Sequence, residues 1–123
     1  MEKAHKKLRA WQETMDLARM VYEVTSLLPS EEKYGLQTQM RRAAVSIPSN
    51  IAEGAARRTS KDTIQFYIIA RGSLSELDTQ TELCRLLNLL QAENLHSLES
   101  QIEKVDALLS GLIRFKRSNK ETT

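Results

Sequence analysis

The chain has 123 residues, of which 41% are hydrophobic and 28% charged, with four glycines, two prolines and one cysteine. This length suits a single domain, and so little Gly and Pro argues against a turn-rich all-β fold or a disordered chain. One cysteine excludes a disulfide framework and a multi-cysteine zinc site. We therefore expect one helix-rich domain in a reducing compartment.

Charge is distributed less evenly than the net value of +2 indicates. The segment 41–61 carries five cations and one acid, and the segment 114–120 carries four cations and no acid. Two interpretations are open: solvated helix ends, where cations are favourable near the C-terminus, or contacts to nucleic-acid phosphates. The candidate nucleic-acid contacts are Arg41, Arg57, Arg58, Lys61, Arg114, Lys116 and Arg117.

The sequence contains no recognisable targeting or membrane segment. The N-terminal residues are charged and no apolar stretch follows them, which differs from a signal peptide. Arg71 and Arg85 interrupt the longest apolar runs, which stay shorter than the ~20 residues that span a bilayer. We therefore expect a cytoplasmic protein.

Apolar residues recur at helical spacing in four segments of the chain. These segments predict helices at about 9–28, 31–56, 60–91 and 94–117, followed by a basic and polar tail at 118–123. Because the connections are short, we expect an all-α, antiparallel up-down four-helix bundle. The fourth helix has the cleanest stripe, formed by Leu95, Leu98, Ile102, Val105, Leu109 and Leu112.

Local signals refine the first three helices. Ser30 and Ser60 have the residue type and position of N-caps for the second and third helices. Gly72 is small and central in the third helix, so we expect another helix to approach closely there. The predicted buried face of the first helix comprises Trp11, Met15, Ala18, Tyr22 and Thr25.

Pro48 lies inside the apolar pattern of the second helix. Because proline removes a backbone hydrogen bond, it should kink the helix at this point. The alternative is that the helix ends at Ile47. Ile51 and Ala52 continue the apolar period beyond the proline, so we favour the kink.

A polar stripe follows the second helix beside its apolar one. Buried polar groups cost free energy unless they are paired, so we predict a structural network in which Arg42 pairs with Glu53 or Glu76. Asn50 should bond to backbone that Pro48 leaves without a partner. The members of the network are Arg42, Ser46, Asn50, Glu53, Ser73 and Glu76.

Two further apolar stripes exceed what one bundle core needs. A wide core face is one explanation, and a homo-oligomer is the other. We expect the oligomer, because such stripes would otherwise form an exposed apolar patch. The residues of the two stripes are Val45, Pro48 and Ala52 on the second helix, and Leu83, Leu86 and Leu90 on the third.

Motifs for catalysis are missing from the sequence. Glu93 and His96 form one Glu-x-x-His match, whereas a di-iron bundle needs two. Cys84 falls on an apolar stripe, which is typical of a small buried side chain, and no glycine-rich phosphate loop occurs. We therefore expect no enzyme, no metal site and no cofactor. A nucleotide hydrolase is disfavoured because its candidate acids occupy separate faces: Glu53, Glu76, Asp78 and Glu82.

The most specific part of the chain is residues 34–54, YGLQTQMRRAAVSIPSNIAEG. With Trp11 upstream and residues 70–77 downstream, it resembles the signature of the 23S rRNA intervening-sequence protein family, also called the four-helix bundle protein family. The resemblance covers about residues 11–90. It implies a small bacterial protein that assembles as a ring-like homopentamer of four-helix bundles. The family name reports a position in inserts within 23S rRNA genes and no activity.

Two functional hypotheses follow. The first is a non-catalytic oligomer that binds RNA or DNA through a basic surface, with phosphate contacts and little base specificity. A distant relative of the family, the accessory protein of diversity-generating retroelements, works with a reverse transcriptase and RNA. The second hypothesis is a protein-interaction adaptor that binds no nucleic acid.

Overall fold

The computed structural model describes residues 3–118, and every regular element in that range is helical. The predicted all-α class with four main helices is therefore confirmed. The tail predicted at 118–123 lies outside the described residues except for Ser118. The four helices are α1 (Arg9–Thr25), α2 (Leu36–Ala55), α3 (Ser60–Leu86) and α4 (Ala92–Ser118), with short 3-10 turns at Ala4–Lys7 and Ser30–Glu32.

The four helices pack around one core in the manner of a four-helix bundle. Each helix contacts the next along the chain, and α1 also contacts α4. Between α2 and α3, side-chain contacts join position 40 to 84, 46 to 73 and 54 to 63, so the numbers rise along α3 as they fall along α2. This order is expected of antiparallel neighbours. The up-down course of the whole bundle stays a prediction.

The core consists of apolar side chains from all four helices. Full burial of one large aliphatic side chain contributes about 1.5–3 kcal/mol, so this set supplies most of the favourable free energy. The stripe predicted for α4 is confirmed except at Leu112, which is half-buried, and Ile51 of the predicted α2 pattern is fully buried. The fully buried members include Leu17, Met40, Ile47, Ile51, Leu77, Leu98, Val105 and Leu109.

The buried face of α1 is not the one that the sequence predicted. Met15 and Tyr22 are 46% and 45% exposed, although Thr25 of the predicted stripe is buried. Two apolar stripes with the same helical step lie side by side on α1, and their period alone does not determine which one faces the core. The face that is buried carries Ala10, Thr14, Leu17, Val21 and Val24.

The start of α2 and the cap of α3 differ from the prediction. α2 begins at Leu36, because Ser30–Glu32 forms a separate 3-10 turn. The Glu32 carboxylate accepts a hydrogen bond from the Leu36 N–H at 3.1 Å. Thr59, not Ser60, is the N-cap of α3, since its hydroxyl accepts from the Asp62 N–H at 3.1 Å.

α3 ends at Leu86, five residues before its predicted end. Asn88 has φ = 56°, in the left-handed region that asparagine tolerates better than most residues. The Leu89 N–H donates to the Cys84 carbonyl at 2.9 Å, and the Asn88 N–H donates to the Arg85 carbonyl at 3.1 Å. These two bonds form a Schellman motif, which satisfies carbonyl groups at the helix end.

α2 continues through Pro48 and does not end at Ile47. The prediction that the helical segment extends past the proline is confirmed, and the kink itself stays a prediction.

Within residues 3–118, no helix combines the length and the apolar character that crossing a bilayer requires.

The close approach of two helices occurs at Gly54, not at Gly72 as predicted. No heavy atom outside its own helix lies within 4 Å of a Cβ built on Gly72, which is exposed. A Cβ on Gly54 would lie 2.9 Å from Cε1 of Tyr67 and 3.0 Å from Cβ of Phe66. The Thr63 hydroxyl also donates to the Gly54 carbonyl at 2.8 Å. Gly54 therefore allows the end of α2 to pack directly on α3.

Candidate nucleic-acid interface

The connection between α2 and α3 carries three exposed cations, Arg57, Arg58 and Lys61. The packing of Gly54 against α3 and the Thr59 cap hold this connection short and ordered. Among residues 3–118, neither Arg58 nor Lys61 has an ion-pair partner. Both positive charges are therefore available to an anion in solution.

Arg57 is held in place by three contacts. One guanidinium nitrogen forms an ion pair with the Glu53 carboxylate, and Nε donates to the Glu53 carbonyl at 3.3 Å. The guanidinium carbon also lies 4.9 Å from the centroid of the Phe66 ring. Arg57 therefore connects the end of α2 to α3 while remaining partly exposed.

The contacts between α3 and α4 have the order expected if the basic last turn of α4 lies at the same end of the bundle as the α2–α3 connection. Arg85 of α3 pairs with Glu99 at 2.6 Å, while Asp78 shares a surface cleft with Glu103 and Asp106. Residue numbers thus fall along α3 as they rise along α4. At 1.5 Å per residue, the last turn of α4 reaches the level of the first turns of α3. The six cations that this order would place at one end of the bundle, named here the basic end, are Arg57, Arg58, Lys61, Arg114, Lys116 and Arg117.

The N-terminal segment carries two further cations that are not among the predicted nucleic-acid contacts. His5 shares a groove with Pro48 and Ala52, so the N-terminal segment lies beside the second half of α2. The flanking Lys3 and Lys6 are exposed. The basic residues near the N-terminus are visible in the sequence. Their position beside the second half of α2 follows only from the packing of this segment.

Arg41, which the sequence predicted as a nucleic-acid contact, instead links α1 to α2. Its Nε donates to the Thr25 hydroxyl at 2.9 Å, and its Nη2 donates to the Tyr22 carbonyl at 3.1 Å. The guanidinium carbon lies 4.5 Å from the Tyr22 ring centroid. The side chain is half-buried and its donors face protein acceptors. We therefore assign Arg41 a structural role.

This assignment predicts different effects for two neighbouring arginines. Arg41→Ala should lower the free energy of unfolding by about 1–2 kcal/mol, because two hydrogen bonds and a cation–π contact are lost. Arg42→Ala should change it by less than about 0.5 kcal/mol, because that side chain is exposed. Urea denaturation of both variants measures the difference, and equal losses would contradict the assignment.

Three members of the predicted polar network meet at the α2–α3 interface. The Ser73 hydroxyl donates to the Ser46 hydroxyl oxygen at 3.0 Å. Asn50 Nδ2 lies 2.8 Å from the Ser46 carbonyl and 3.0 Å from the Ser46 hydroxyl. All three side chains are half-buried. Asn50 thus bonds the carbonyl of Ser46 and not the Ala44 carbonyl that Pro48 leaves without its helical donor.

The charged members of that network do not join it. Arg42, Glu53 and Glu76 are exposed, and within residues 3–118 no ion pair connects Arg42 to either acid. Glu53 pairs instead with Arg57, which lies four residues further along the chain. Because water solvates these charges, no desolvation penalty forces them to pair.

Neither a metal-ligand cluster nor an accessible thiol occurs among residues 3–118. In residues 3–118, no three His, Cys, Asp or Glu side chains are placed to hold a metal ion. Cys84 is completely buried, with its sulfur 3.8 Å from the sulfur of Met40. Burial raises the pKa of the Cys84 thiol, and the charge of Glu32 adds to that shift. The thiol is therefore a packing group and not a thiolate nucleophile.

A shallow apolar groove of about 380 Å³ lies between α1 and α2. Val45 is 44% exposed there, and Pro48 forms part of the floor. The groove, named here the α1–α2 groove, contains most of the face that the sequence predicted as the core side of α1. Its apolar lining consists of Trp11, Met15, Ala18, Val45, Pro48 and Ala52.

The fold and the sequence relate this chain to proteins of unknown function. Among curated proteins, none matches the chain. A similar solved structure, with a TM-score of 0.79 and 22% identity, is a protein of unknown function from the S23 ribosomal protein family of Bacteroides thetaiotaomicron. The similarity covers 85% of this chain and 95% of that one. A sequence model described as 23S rRNA-intervening sequence protein matches residues 6–111. The chain belongs to the 23S rRNA-intervening sequence protein family.

Proposed function

We propose that this protein is a non-catalytic oligomer that binds RNA or DNA through its basic end. The observation that carries the proposal is that Arg58 and Lys61 on the α2–α3 connection are exposed and have no ion-pair partner among residues 3–118; the cations at the end of α4 would extend this surface. Glu53 and Asp62 are the acids of the α2–α3 connection and its flanking turns. The setting that suits such a protein is the cytoplasm, and cell fractionation tests that placement.

The chemistry of the basic end favours phosphate contacts over base recognition. Guanidinium and ammonium groups bind backbone phosphates without reading sequence. Recognition of single strands uses several exposed aromatic rings on which successive bases stack. The Phe66 ring is half-buried under Arg57, and Phe115, between Arg114 and Lys116, is 61% exposed, so one ring and not a row of rings accompanies these cations. We therefore propose binding to duplex backbones with little sequence preference.

Charge reversal at the α2–α3 connection tests this proposal. Arg58→Glu combined with Lys61→Glu should weaken binding to a short duplex RNA or DNA at least about tenfold, since two phosphate contacts become repulsive. The matched control reverses two exposed cations outside the basic end and outside the proposed contact surfaces, Lys33→Glu with Lys104→Glu. Fluorescence anisotropy measures both variants. Equal weakening by the two pairs would mean that net charge alone governs binding.

We also propose that the protein associates with further copies of itself. The α1–α2 groove has Arg42 nearby, and a second exposed apolar surface at the end of α3 contains Leu83, Leu86 and Leu87. That second surface adjoins Glu82 and Glu99, which share the single cation Arg85. The two surfaces are thus apolar with rims of opposite charge, as complementary faces of one repeated contact would be.

The number of copies expected from the family resemblance is five, and the molar mass in solution tests it. Assembly would repeat the basic end, which increases the number of phosphates that one particle contacts. The α1–α2 groove also suits the alternative function, an adaptor that binds another protein. Recovery of one protein partner after nuclease treatment, together with no binding to duplex RNA or DNA, would favour the adaptor.

A further inference from the structure

We infer that Glu53 limits the nucleic-acid affinity of the basic end by occupying the guanidinium of Arg57. The inference rests on the proposed function and adds a specific role for an acid within the basic surface. Arg57 is the one cation of the α2–α3 connection whose charge is neutralised by an ion pair in the described structure. A phosphate that reaches this surface therefore meets Arg58 and Lys61 first.

The geometry explains why Arg57 points at Glu53. Arg57 lies just beyond the end of α2, where the chain turns and the Arg57 N–H donates to the Gly54 carbonyl at 3.1 Å, and its side chain reaches back to Glu53 in the last turn of the helix. The additional bond from Nε to the Glu53 carbonyl holds the guanidinium against the helix end. Phe66 supports it from the other side, with 4.9 Å between the guanidinium carbon and the ring centroid. The pair remains open to water, with 40% of the Arg57 side chain and 49% of the Glu53 side chain exposed.

That exposure makes the contact reversible. Exposed ion pairs are weak because water and salt screen them, so a phosphodiester can compete with the carboxylate for the same donors. Competition nevertheless reduces the gain from each phosphate contact, since one ion pair must break for another to form. Removing the charge of Glu53 should leave Arg57 supported by Phe66 and available to bind.

Asp62 provides a matched control. It lies in the first turn of α3, on the same connection, and carries the same charge as Glu53. Within residues 3–118 its carboxylate has no ion-pair partner. Asp62→Asn and Glu53→Gln therefore change the net charge equally, but only the second change releases an arginine.

The experiment measures binding of a labelled short duplex RNA, and of duplex DNA, over a series of salt concentrations. The proteins are the wild type, Glu53→Gln, Asp62→Asn, and Glu53→Gln combined with Arg57→Gln. Glu53→Gln should bind about two- to fivefold more tightly than the wild type, the range expected for release from an exposed ion pair. Its plot of log K against log salt should be steeper by about 0.9, the contribution of one more phosphate contact.

The other variants identify the cause of that gain. Asp62→Asn should leave the slope unchanged, and the variant that also lacks Arg57 should lose both the gain and the added slope. Two outcomes would overturn this inference and leave the proposed function standing. In the first, the wild type binds and Glu53→Gln has the same affinity and slope. In the second, Asp62→Asn changes the slope as much as Glu53→Gln does. Absence of binding by the wild type and by Glu53→Gln would overturn the proposed function and the inference together. Binding by Glu53→Gln alone would support both.

Discussion

Gly54→Ala is expected to lower the free energy of unfolding by about 1–3 kcal/mol, the cost of forcing an added methyl group into a packed site. The added Cβ would lie 2.9 Å from Cε1 of Tyr67, 3.0 Å from Cβ of Phe66 and 3.1 Å from the carbonyl oxygen of Thr63. Tyr67 is almost completely buried, and Thr63 is part of the α3 backbone. None of these atoms belongs to the far end of a flexible exposed side chain, so α2 and α3 must move apart.

Gly72→Ala supplies the matched comparison and should raise the free energy of unfolding instead of lowering it. Gly72 is exposed inside α3, and a Cβ built on it meets no heavy atom outside its own helix within 4 Å. Replacing glycine by alanine in an exposed helix interior stabilises by about 0.5–1 kcal/mol. Urea denaturation followed by circular dichroism measures both variants. A loss of stability in both, or in neither, would contradict the assignment of Gly54 as the point of close approach.

Val45→Glu is expected to dissociate the proposed oligomer into folded monomers. Val45 lines the α1–α2 groove and is 44% exposed in the single chain. The carboxylate of a glutamate introduced at this position would therefore be solvated in the monomer. In an assembly that covers the groove, the same charge would lose its water without gaining a partner, which costs several kcal/mol. Sedimentation velocity measures the mass, and circular dichroism shows whether the fold is retained.

Ile69→Glu is the control for that substitution, because Ile69 has a matched exposure of 45% and does not line the groove. It should leave the assembly intact. Dissociation by Ile69→Glu but not by Val45→Glu would place the contact on α3 and contradict the use of the groove. A wild-type protein that is monomeric at all concentrations would overturn the proposed self-association.

The sequence predicts the helices best where one apolar stripe dominates. α4 has such a stripe, and five of its six predicted members, among them Leu98 and Leu109, are buried. α1 carries two adjacent stripes of equal period, so the choice between them depends on which neighbours it packs against. Met15, on the stripe chosen from the sequence, is therefore partly exposed.

Other differences arise from tertiary or backbone geometry that spacing does not encode. Gly54 and Gly72 are both single glycines beside small residues, yet only Gly54 faces another helix. The end of α3 depends on a left-handed conformation at Asn88, a residue type that permits this conformation without requiring it. Residue spacing alone therefore does not determine where α3 ends.

Local charge identified the cations of the α2–α3 connection but not their roles. Arg41 belongs to the same basic segment as Arg58, yet its donors are used by Thr25 and by the Tyr22 carbonyl, both in α1. Thr25 and Tyr22 are distant from Arg41 in the sequence, so a count of charges along the chain does not reveal these hydrogen bonds. The pairing of Arg57 with Glu53 has a partial signal, the four-residue spacing of opposite charges across the end of the predicted second helix.

The most direct test of the central claim, that the basic end binds nucleic-acid phosphates, is the salt dependence of binding of the wild-type protein to a short duplex RNA and to a duplex DNA. Each phosphate contact contributes about −0.9 to the slope of log K against log salt for duplex DNA. Three to five contacts by the basic end predict a slope between about −2.7 and −4.5 per protomer, with little difference between sequences. No binding to either duplex at low salt, or binding with a slope near zero, would contradict the claim.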